Sequence, residues 1–573
     1  MPSPVRADLV RSPVLLIGAG TGEATCGILY LAGYLRRNGI EAFVRLYDAD
    51  ETEAEVKRSL EGLLAHVKPR LVGISLKWFH HVARARLLAK TVRKLAPKVE
   101  IVLGGNTASY FWKELVAWDC VDFVALGDGE VPLLALARGD EAPPNVVTRA
   151  TEHKAPLGYV QSPSSDDVYY SHFDELFLSK LDLHSFSGWV APGKGCGENC
   201  VYCGGTRGIQ QATFGRAKPF LRTEESVQKD HRELAPRTWQ MRYDFAGSSG
   251  AFLERAWGGV DLSKHSTTYF MWGVPPRDLV DTLAKTFGRV FMVLDIGCFS
   301  QTQRNELKRR GLLKPCPSDR ELMDIIEDSR RYPNLELEIS GIAGLPYATA
   351  QTLQEERRLL EHVLSLGCTI GYQRLEAQPG ALVTEHPGRF EMVSEATTFT
   401  QFLDYFGRRD LSGDGTVPML RFQDPALEQA VRETTEALET LARDHAAAKG
   451  HVELEGDTRL LNTSAATLQF EVGDWLGHYR VPARFAKEPV TVVRSVIGTG
   501  LSCAPTLNPR KFSDPLLEQG ESAAALLSVL GAFTRPTTVG KAIGALEAQG
   551  QLDGDSAFEV IEHLTAGRFL QPA

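Results

Sequence analysis

Three closely spaced cysteines carry the strongest chemical signal in this sequence. Cys196, Cys200 and Cys203 form a C-x3-C-x2-C pattern on a glycine-rich segment. Three thiolates this close together can bind three irons of a cubane iron–sulfur cluster and leave the fourth iron open. A zinc knuckle is the alternative, but zinc needs a fourth ligand and more often uses paired C-x2-C units. The sequence shows no second cysteine pair, and His184 is the only nearby imidazole, so the pattern favours the cluster.

Apolar runs alternate with helical patterns over the first third of the chain, which predicts a doubly wound, Rossmann-like α/β domain with a parallel sheet. The expected strands are Val14–Ile17, Ala42–Leu46, Leu71–Ser75, Val99–Leu103 and Phe123–Leu126. Three of them end in glycine-containing loops: Gly18-Ala19-Gly20-Thr21-Gly22, Gly104-Gly105-Asn106-Thr107 and Gly127-Asp128-Gly129-Glu130. We expect a ligand at these carboxyl ends, because glycine lets the backbone approach a bound group closely.

A second strand–helix series follows a linker that we expect at residues 141–180. Its strands are expected at Trp189–Pro192, Gln240–Phe245, Thr267–Trp272, Val290–Leu294, Leu335–Ile339 and Thr369–Arg374. Six such units predict a partial (β/α)6 barrel with its chemistry at the carboxyl ends of the strands.

Beyond about residue 400 the alternation of strands and helices ends. There the sequence predicts an amphipathic helix over Pro425–Ala448, whose interleaved charges suggest a solvated face. A hairpin is expected over Val452–Leu461 and Thr467–Val472, and helices around Ala523–Phe533, Thr538–Gln549 and Ser556–Gly567. The expected organisation is therefore residues 1–140, the linker 141–180, a barrel at 181–400, and a mixed α+β domain at 401–573. The last domain either caps the barrel or ends in a winged-helix-like unit.

The cysteine loop, with Tyr202 just before its third cysteine, resembles that of the radical S-adenosylmethionine (SAM) enzymes. In that family the open iron binds the amino and carboxylate groups of SAM, and an electron from the 4Fe–4S cluster breaks the sulfonium bond. The resemblance implies SAM contacts from Tyr202, Gly247, Ser248, Ser249, Asp295, Gly344 and Gln378. The segment from Gly247 to Ser249 stands where members usually carry Gly-Gly-Glu. The usual glutamate contact to the methionine amino group is therefore missing.

The first domain resembles the cobalamin-binding domains that precede many radical SAM cores. The resemblance rests on the Gly104-Gly105 strand end and on the Gly-Asp-Gly-Glu segment after Asp122. It implies cobalamin contacts from Gly18, Gly20, Thr21, Ser75, Leu76, Lys77, Gly104, Gly105, Asn106, Gly127, Gly129 and Glu130. In that family the loop that corresponds to Leu76-Lys77-Trp78 approaches the lower face of the cobalt. The sequence has no Asp-x-His-x-x-Gly motif, and His80 and His81 lack its context, so we expect cobalamin without a histidine lower ligand.

Together these features resemble the cobalamin-dependent radical SAM methyltransferases of class B. The resemblance implies methyl transfer from SAM, via methylcobalamin, to a carbon of a natural-product, amino-acid or peptide substrate. It also implies a reductant such as flavodoxin or ferredoxin. Two variants remain open: polar methyl transfer to tryptophan or a similar aromatic, of the thiostrepton-pathway type, and cobalamin-dependent ring formation or rearrangement without methylation. A cobalamin or iron–sulfur sensor or carrier is the non-enzymatic alternative, but a carrier would not need the SAM barrel.

Composition excludes several other classes of function. The chain has 573 residues and a formal net charge of −9, which argues against a nucleic-acid partner. Nine cysteines in this length do not make a disulfide framework. No apolar run is long enough to span a bilayer and no signal peptide is evident, so we expect a cytoplasmic, monomeric enzyme without a membrane partner. No catalytic side chain is assigned, because aromatic residues near the strand ends suit a core as well as a pocket: Tyr269, Phe270, Trp272 and Tyr372.

Overall fold

Two six-stranded sheets dominate the computed structural model of this chain. It describes residues 12–19, 25–47, 52–151, 188–216, 218–235, 240–244, 250–263, 265–412, 417–449, 454–462, 491–494, 501–504, 528–529, 531–533, 535–566 and 570–572. Within these ranges no helix combines the length and the apolar character that a bilayer crossing requires.

The first sheet has the strand order β2-β1-β3-β4-β5-β6. Its strands are β1 (Val14–Gly18), β2 (Ala42–Leu46), β3 (Leu71–Ser75), β4 (Glu100–Gly104), β5 (Phe123–Ala125) and β6 (Val146–Val147). The first five are parallel and β6 is antiparallel to β5. Helices cover both faces, so side chains from both faces of β1 are buried in separate apolar clusters.

The second sheet is fully parallel in the order β14-β13-β12-β11-β10-β7. Its strands are β7 (Gly188–Val190), β10 (Gln240–Asp244), β11 (Ser266–Trp272), β12 (Arg289–Gly297), β13 (Leu335–Ala343) and β14 (Thr369–Arg374). A short antiparallel pair, β8 (Gly193–Lys194) and β9 (Phe220–Leu221), lies between β7 and β10 in the chain. The predicted partial barrel is confirmed.

Helices connect these strands. In the first half of the chain they are α1 (Thr25–Arg37), α2 (Glu53–Val67), α3 (Val82–Leu95), α4 (Asn106–Tyr110), α5 (Trp112–Val116), α6 (Glu130–Arg138), α7 (Arg207–Phe214), α8 (Glu224–Leu234), α9 (Gly250–Trp257) and α10 (Leu279–Thr286). Then follow α11 (Gln301–Arg309), α12 (Asp319–Ser329), α13 (Ala350–Ser365), α14 (Leu382–Glu385), α15 (Phe399–Ser412), α16 (Pro425–Lys449), α17 (Val539–Ala548) and α18 (Gly554–Ala566). Two 3-10 turns stand at Phe79–His81 and Pro387–Phe390.

Small sheets complete the described chain. They pair β15 (Met392–Ser394) with β16 (Leu420–Phe422), β18 (Thr491–Arg494) with β19 (Leu501–Ala504), and β17 (Arg459–Asn462) with β20 (Thr537–Thr538) and β21 (Leu570–Pro572). Several strand ends lie one or two residues from their expected positions, and the larger differences concern β6, β12 and β13. The strand β6 extends the first sheet past residue 140, and β12 and β13 run three and four residues beyond their expected ends. The hairpin segment expected at Thr467–Val472 lies outside the described residues.

Helix α16 covers the exposed edge of the second sheet. It packs against the edge strand β14 and helix α13, buries Val431 and Leu438, and its Glu428 pairs with Arg374 on β14. An open strand edge is thereby protected from pairing with another chain. The interleaved charges predicted a solvated face, and the structure adds a buried stripe on the opposite face.

Helix α15 joins the last third of the chain to the first sheet. It packs on α3 and on the turn Phe79–His81. The Phe406 ring lies 4.9 Å from that of Phe79 and 6.3 Å from that of His80, and the Phe399 ring lies 5.0 Å from that of Phe111. The turn Phe79–His81 directly follows the Leu76-Lys77-Trp78 loop in the chain. By packing on this turn, α15 supports the loop.

We predict that Phe406→Ala destabilises the protein by about 3 to 5 kcal/mol, because a fully buried ring is replaced by a cavity. Thermal unfolding measures the effect, and Thr400→Ala on an exposed position of the same helix is the control. Equal melting temperatures for the two variants would contradict a stabilising role for the packing of α15 on the first sheet.

Candidate active site

The three cysteine sulfurs lie on one loop and each accepts a backbone N–H. The donors are the N–H groups of Glu198 to Cys196 Sγ at 3.4 Å, of Gly205 to Cys203 Sγ at 3.2 Å, and of Lys314 to Cys200 Sγ at 3.3 Å. Hydrogen bonds to sulfur stabilise thiolates and tune the reduction potential of iron–sulfur clusters. The donor set therefore fits three thiolate ligands.

Burial of these thiols disfavours loss of the thiol proton when no metal is bound. It raises the pKa of Cys203 to about 11 and also raises the pKa of Cys200. A bound metal removes the thiol proton outright. Among the described residues no three ligating side chains converge as a single-ion site requires. A cubane does not need that convergence, because each cysteine binds a different iron.

Local packing fixes the shape of the cysteine loop. Val201 N–H donates to Leu312 O at 2.8 Å, and Val201 O accepts from Val383 N–H at 3.1 Å. A Cβ at Gly204 would stand 2.2 Å from Pro379 O, so only glycine fits against the Gln378-Pro379-Gly380 turn. The loop and the turn expected to bind SAM are thereby brought into contact.

A buried lysine joins two of the predicted SAM residues. Lys314 Nζ donates to Tyr202 OH at 2.9 Å and pairs with Asp295 Oδ2 at 2.9 Å. Burial alone would lower the pKa of Lys314, but the Asp295 carboxylate raises it above its usual value, so the ammonium stays charged beside Cys200. Sequence reasoning missed this residue because it lies 114 positions from Cys200 and belongs to no motif.

The other predicted SAM residues are only partly placed. Gly344 lies just beyond β13 with φ +76°, and a Cβ there would meet Val431 of α16 at 3.1 Å. The Gln378 N–H donates to Thr384 Oγ1 at 3.1 Å. Gly247, Ser248 and Ser249 lie outside the described residues.

The predicted cobalamin residues meet at one edge of the first sheet. Gly18, Ser75 and Gly104 are in register at the ends of β1, β3 and β4. The loops that follow β3 and β4 are joined, because Leu76 N–H donates to Gly104 O at 2.7 Å. Gly105 has φ +111°, and a Cβ there would lie 2.7 Å from Leu76 O. The glycines at this edge leave bare backbone beside Ser75 and Leu76, as close approach of a corrinoid would need.

The Leu76-Lys77-Trp78 loop, expected to approach the lower face of the cobalt, carries a donor without a partner among the described residues. Trp78 Nε1 is buried, and it has no hydrogen-bond partner among the described residues. Lys77 Nζ lies 5.4 Å from the centre of the Trp78 ring. A buried N–H without a partner is costly unless a bound group accepts it, which fits a cofactor at this edge. Gly20 and Thr21, assigned to the same site, lie outside the described residues.

The Gly-Asp-Gly-Glu segment makes a buried ion bridge to the cysteine loop. Lys194 Nζ, two residues before Cys196, lies 2.7 Å from Glu130 Oε1 and 3.7 Å from Asp128 Oδ1. Arg216 Nη2 lies 2.6 Å from Asp128 Oδ1. These four side chains are 5% to 22% exposed. The carboxylate of Glu130, expected to contact cobalamin, is therefore engaged by Lys194.

A second contact joins the same two edges. Tyr110, at the end of α4, donates to Glu385 Oε1 at 2.7 Å, and its ring lies 3.2 Å from where a Gly380 Cβ would stand. Helix α4 begins at Asn106, directly after the Gly104-Gly105 loop. The loop expected to hold cobalamin therefore lies close to the turn that supports the cysteines.

Comparisons with known proteins agree with this arrangement. Residues 13–137 match the B12 binding domain family, so the first sheet is a B12-binding domain. Hopanoid C-3 methylase of Methylococcus capsulatus (strain Bath) is 28% identical over 223 residues, 36% of this chain and 40% of that protein. The match to this relative thus spans less than half of its length.

Two solved structures of TsrM from Kitasatospora setae, a radical S-adenosylmethionine methyltransferase, share the fold. The structure with cobalamin and a 4Fe–4S cluster has a TM-score of 0.55 at 16% identity and covers 76% of this chain and 90% of its own. The structure with tryptophan substrate and the SAM analogue aza-SAM has a TM-score of 0.54 at 15% identity, covering 75% and 89%. The chain has the fold of a B12-binding radical SAM protein.

We predict that Glu130→Gln lowers the free energy of unfolding by about 3 kcal/mol, because it leaves the buried Lys194 with only a distant carboxylate. The matched control is Glu100→Gln, which breaks a more exposed pair with Arg70 and should cost less than about 1 kcal/mol. Chemical denaturation of both variants tests the difference. Similar small losses would show that the bridge does not hold the two domains.

Proposed function

We propose that this chain, which has the fold of the cobalamin-dependent radical SAM methyltransferases, moves a methyl group from SAM to a carbon of a small-molecule or peptide substrate. One observation carries the proposal: the B12-binding edge and the cysteine loop are locked together by the Asp128, Glu130, Lys194 and Arg216 bridge. Two cofactors that share one substrate need this proximity.

The residues divide the work between the two sites. Cys196, Cys200 and Cys203 would hold the 4Fe–4S cluster, and the ends of β1, β3 and β4 would hold cobalamin without a histidine below the cobalt. When bound, the cluster supplies the electron that cleaves SAM, and cobalamin supplies a carrier for the methyl group. Lys314 keeps a positive charge beside the cluster loop and orients Tyr202 and Asp295 at the SAM position.

The remaining assignments follow from the same chemistry. We propose a reductant such as flavodoxin or ferredoxin, since the cluster must receive electrons, and a reducing, cytoplasmic setting for a monomeric enzyme. Residues from 401 onward are proposed to close the substrate chamber and to exclude water. Helix α15 on the B12-binding domain and helix α16 on the barrel edge support this role.

We predict that anaerobically reconstituted protein supplied with hydroxocobalamin contains about four irons per chain and about one cobalt. Cys200→Ala should lose the iron and keep the cobalt, because the two sites lie on different sheets. Cys368→Ala removes a buried thiol remote from the loop motif and is the control. Elemental analysis decides: zinc in place of iron would reject the cluster, and iron without cobalt would leave an ordinary radical SAM enzyme.

A second candidate is polar methyl transfer to an aromatic substrate such as tryptophan. It is favoured by the fold shared with TsrM, which is solved with tryptophan substrate, and by Gly247-Ser248-Ser249 in place of Gly-Gly-Glu.

The two candidates predict different products from SAM. We expect about one 5′-deoxyadenosine per methylated product if the transfer is radical and none if it is polar, because only the radical route cleaves the bond to the adenosyl carbon. With SAM labelled in the methyl group, chromatography follows the methylated product by its label and 5′-deoxyadenosine by the absorbance of its adenine. Deoxyadenosine without any methylated product would support the non-methylating alternative.

A further inference from the structure

The inner face of the barrel carries acidic residues on one strand. Along β13 every second residue points to the same side. Leu337 and Ile339 pack into the apolar cluster that contains the helix residues Leu360 and Val363. The intervening residues Glu336, Glu338 and Ser340 therefore face the inside of the barrel.

Two of these residues, both carboxyls, have different surroundings. Glu336 accepts a hydrogen bond from Thr369 Oγ1 at 2.7 Å and lies 3.8 Å from the Arg289 guanidinium. Glu338 is partly buried, and no residue that the structure describes gives it a hydrogen bond or an ion pair. Burial, and then the neighbouring Glu336, raise the pKa of Glu338 to about 7. Glu338 is therefore a carboxyl that the described residues do not neutralise.

The neighbouring strand leaves room for this carboxyl. A Cβ at Gly371 on β14 would stand 2.5 Å from Glu338 Oε1 and 3.3 Å from Ser340 Oγ. Gly371 does not have a positive φ, so the reason for a glycine here is space. The acid and the hydroxyl therefore lie together against the β14 backbone at Gly371.

Glu338 lies below the expected SAM position. Ser340 is in register with Asp295, and Trp272 on β11 is in register with Asp295 from the other side. Glu338 stands two residues earlier, about 7 Å deeper along the strand. Trp272 is 38% exposed, and Phe270, one pleat below it, is covered by the Arg242 guanidinium at 4.3 Å. Aromatic surface therefore borders the approach to the acid.

We propose that Glu338 is a substrate-recognition residue that binds a protonated amine or another cationic N–H group, while Phe270 and Trp272 contact the apolar body of the same molecule. The proposal rests on the proposed function, because it takes the barrel mouth as the substrate chamber. A cationic donor satisfies a buried carboxylate, whereas an alcohol supplies no charge and an anion is repelled. The other described charges on this face are already paired or engaged: Glu336, Arg289, Asp295 and Arg242.

The test compares an amine with its neutral isostere. Binding of 2-phenylethylamine and of 2-phenylethanol to cofactor-loaded protein is measured at pH 8 by equilibrium dialysis. We expect the wild type to bind the amine at least tenfold more tightly than the alcohol, and Glu338→Gln to bind both about equally. Glu356→Gln is the matched control: this acid also has a pKa raised to about 7, but it lies on the helix side and is bonded by Tyr372 OH at 2.9 Å, so it should leave the preference intact.

Three results would overturn the proposal: no binding of the amine to the wild type, equal affinities for the two probes, or a preference that survives in Glu338→Gln. Thermal unfolding at pH 8 gives a second readout. A neutral amide needs no counter-ion, so Glu338→Gln should melt no lower than the wild type, and a marked fall would mean a structural role. Transfer of labelled methyl from SAM to bound cobalamin is measured on the same preparations. Its absence with the amine preference intact rejects the proposed function and leaves this site standing.

Discussion

Two cofactor sites on separate sheets can act on one substrate only if the strand ends that form them are held face to face. In this protein the ion bridge between Asp128, Glu130, Lys194 and Arg216 imposes that constraint. Charges this well buried must stay paired, because an unpaired one is strongly destabilising. The two sheets therefore have few alternative positions. Since Cys196 follows Lys194 by two residues, the contact that docks the domains also fixes where the cysteine loop begins.

The bridge changes how the Gly-Asp-Gly-Glu segment is interpreted. By resemblance to other B12-binding domains, its glycines and Glu130 were assigned to the cofactor. In the structure Glu130 forms an ion pair with Lys194. The backbone of Gly127 and Gly129 lies at the sheet edge, where Gly127 N–H donates to Ser109 Oγ at 3.0 Å. Acidic side chains at this edge thus serve domain docking, while under the proposed function the neighbouring loops would offer backbone and the Trp78 indole N–H to a corrinoid.

Sequence patterns predicted what depends on local periodicity. The strands β2, β3 and β14 fall on their expected residues, and the cysteine spacing pointed to the loop that the structure places at the barrel mouth. The pattern could not find Lys314, because its partners Cys200 and Asp295 come from distant segments and no spacing rule links them. The same applies to α15, for which the sequence pattern predicted no helix. Which apolar face such a helix covers is decided by tertiary packing.

The acidic residues inside the barrel differ in whether a partner stabilises their charge. Asp295 is neutralised by Lys314 and Glu336 by Arg289 and Thr369, but Glu338 has no such partner among the described residues. Natural proteins retain such costly groups chiefly where function requires them. The charges differ along the barrel axis. The Lys314 ammonium lies level with Asp295, and the Glu338 carboxyl lies about 7 Å deeper. Under the proposed function, a substrate that places its cationic nitrogen on Glu338 would hold its uncharged end toward the proposed cluster and corrinoid sites, where the methyl group would be transferred.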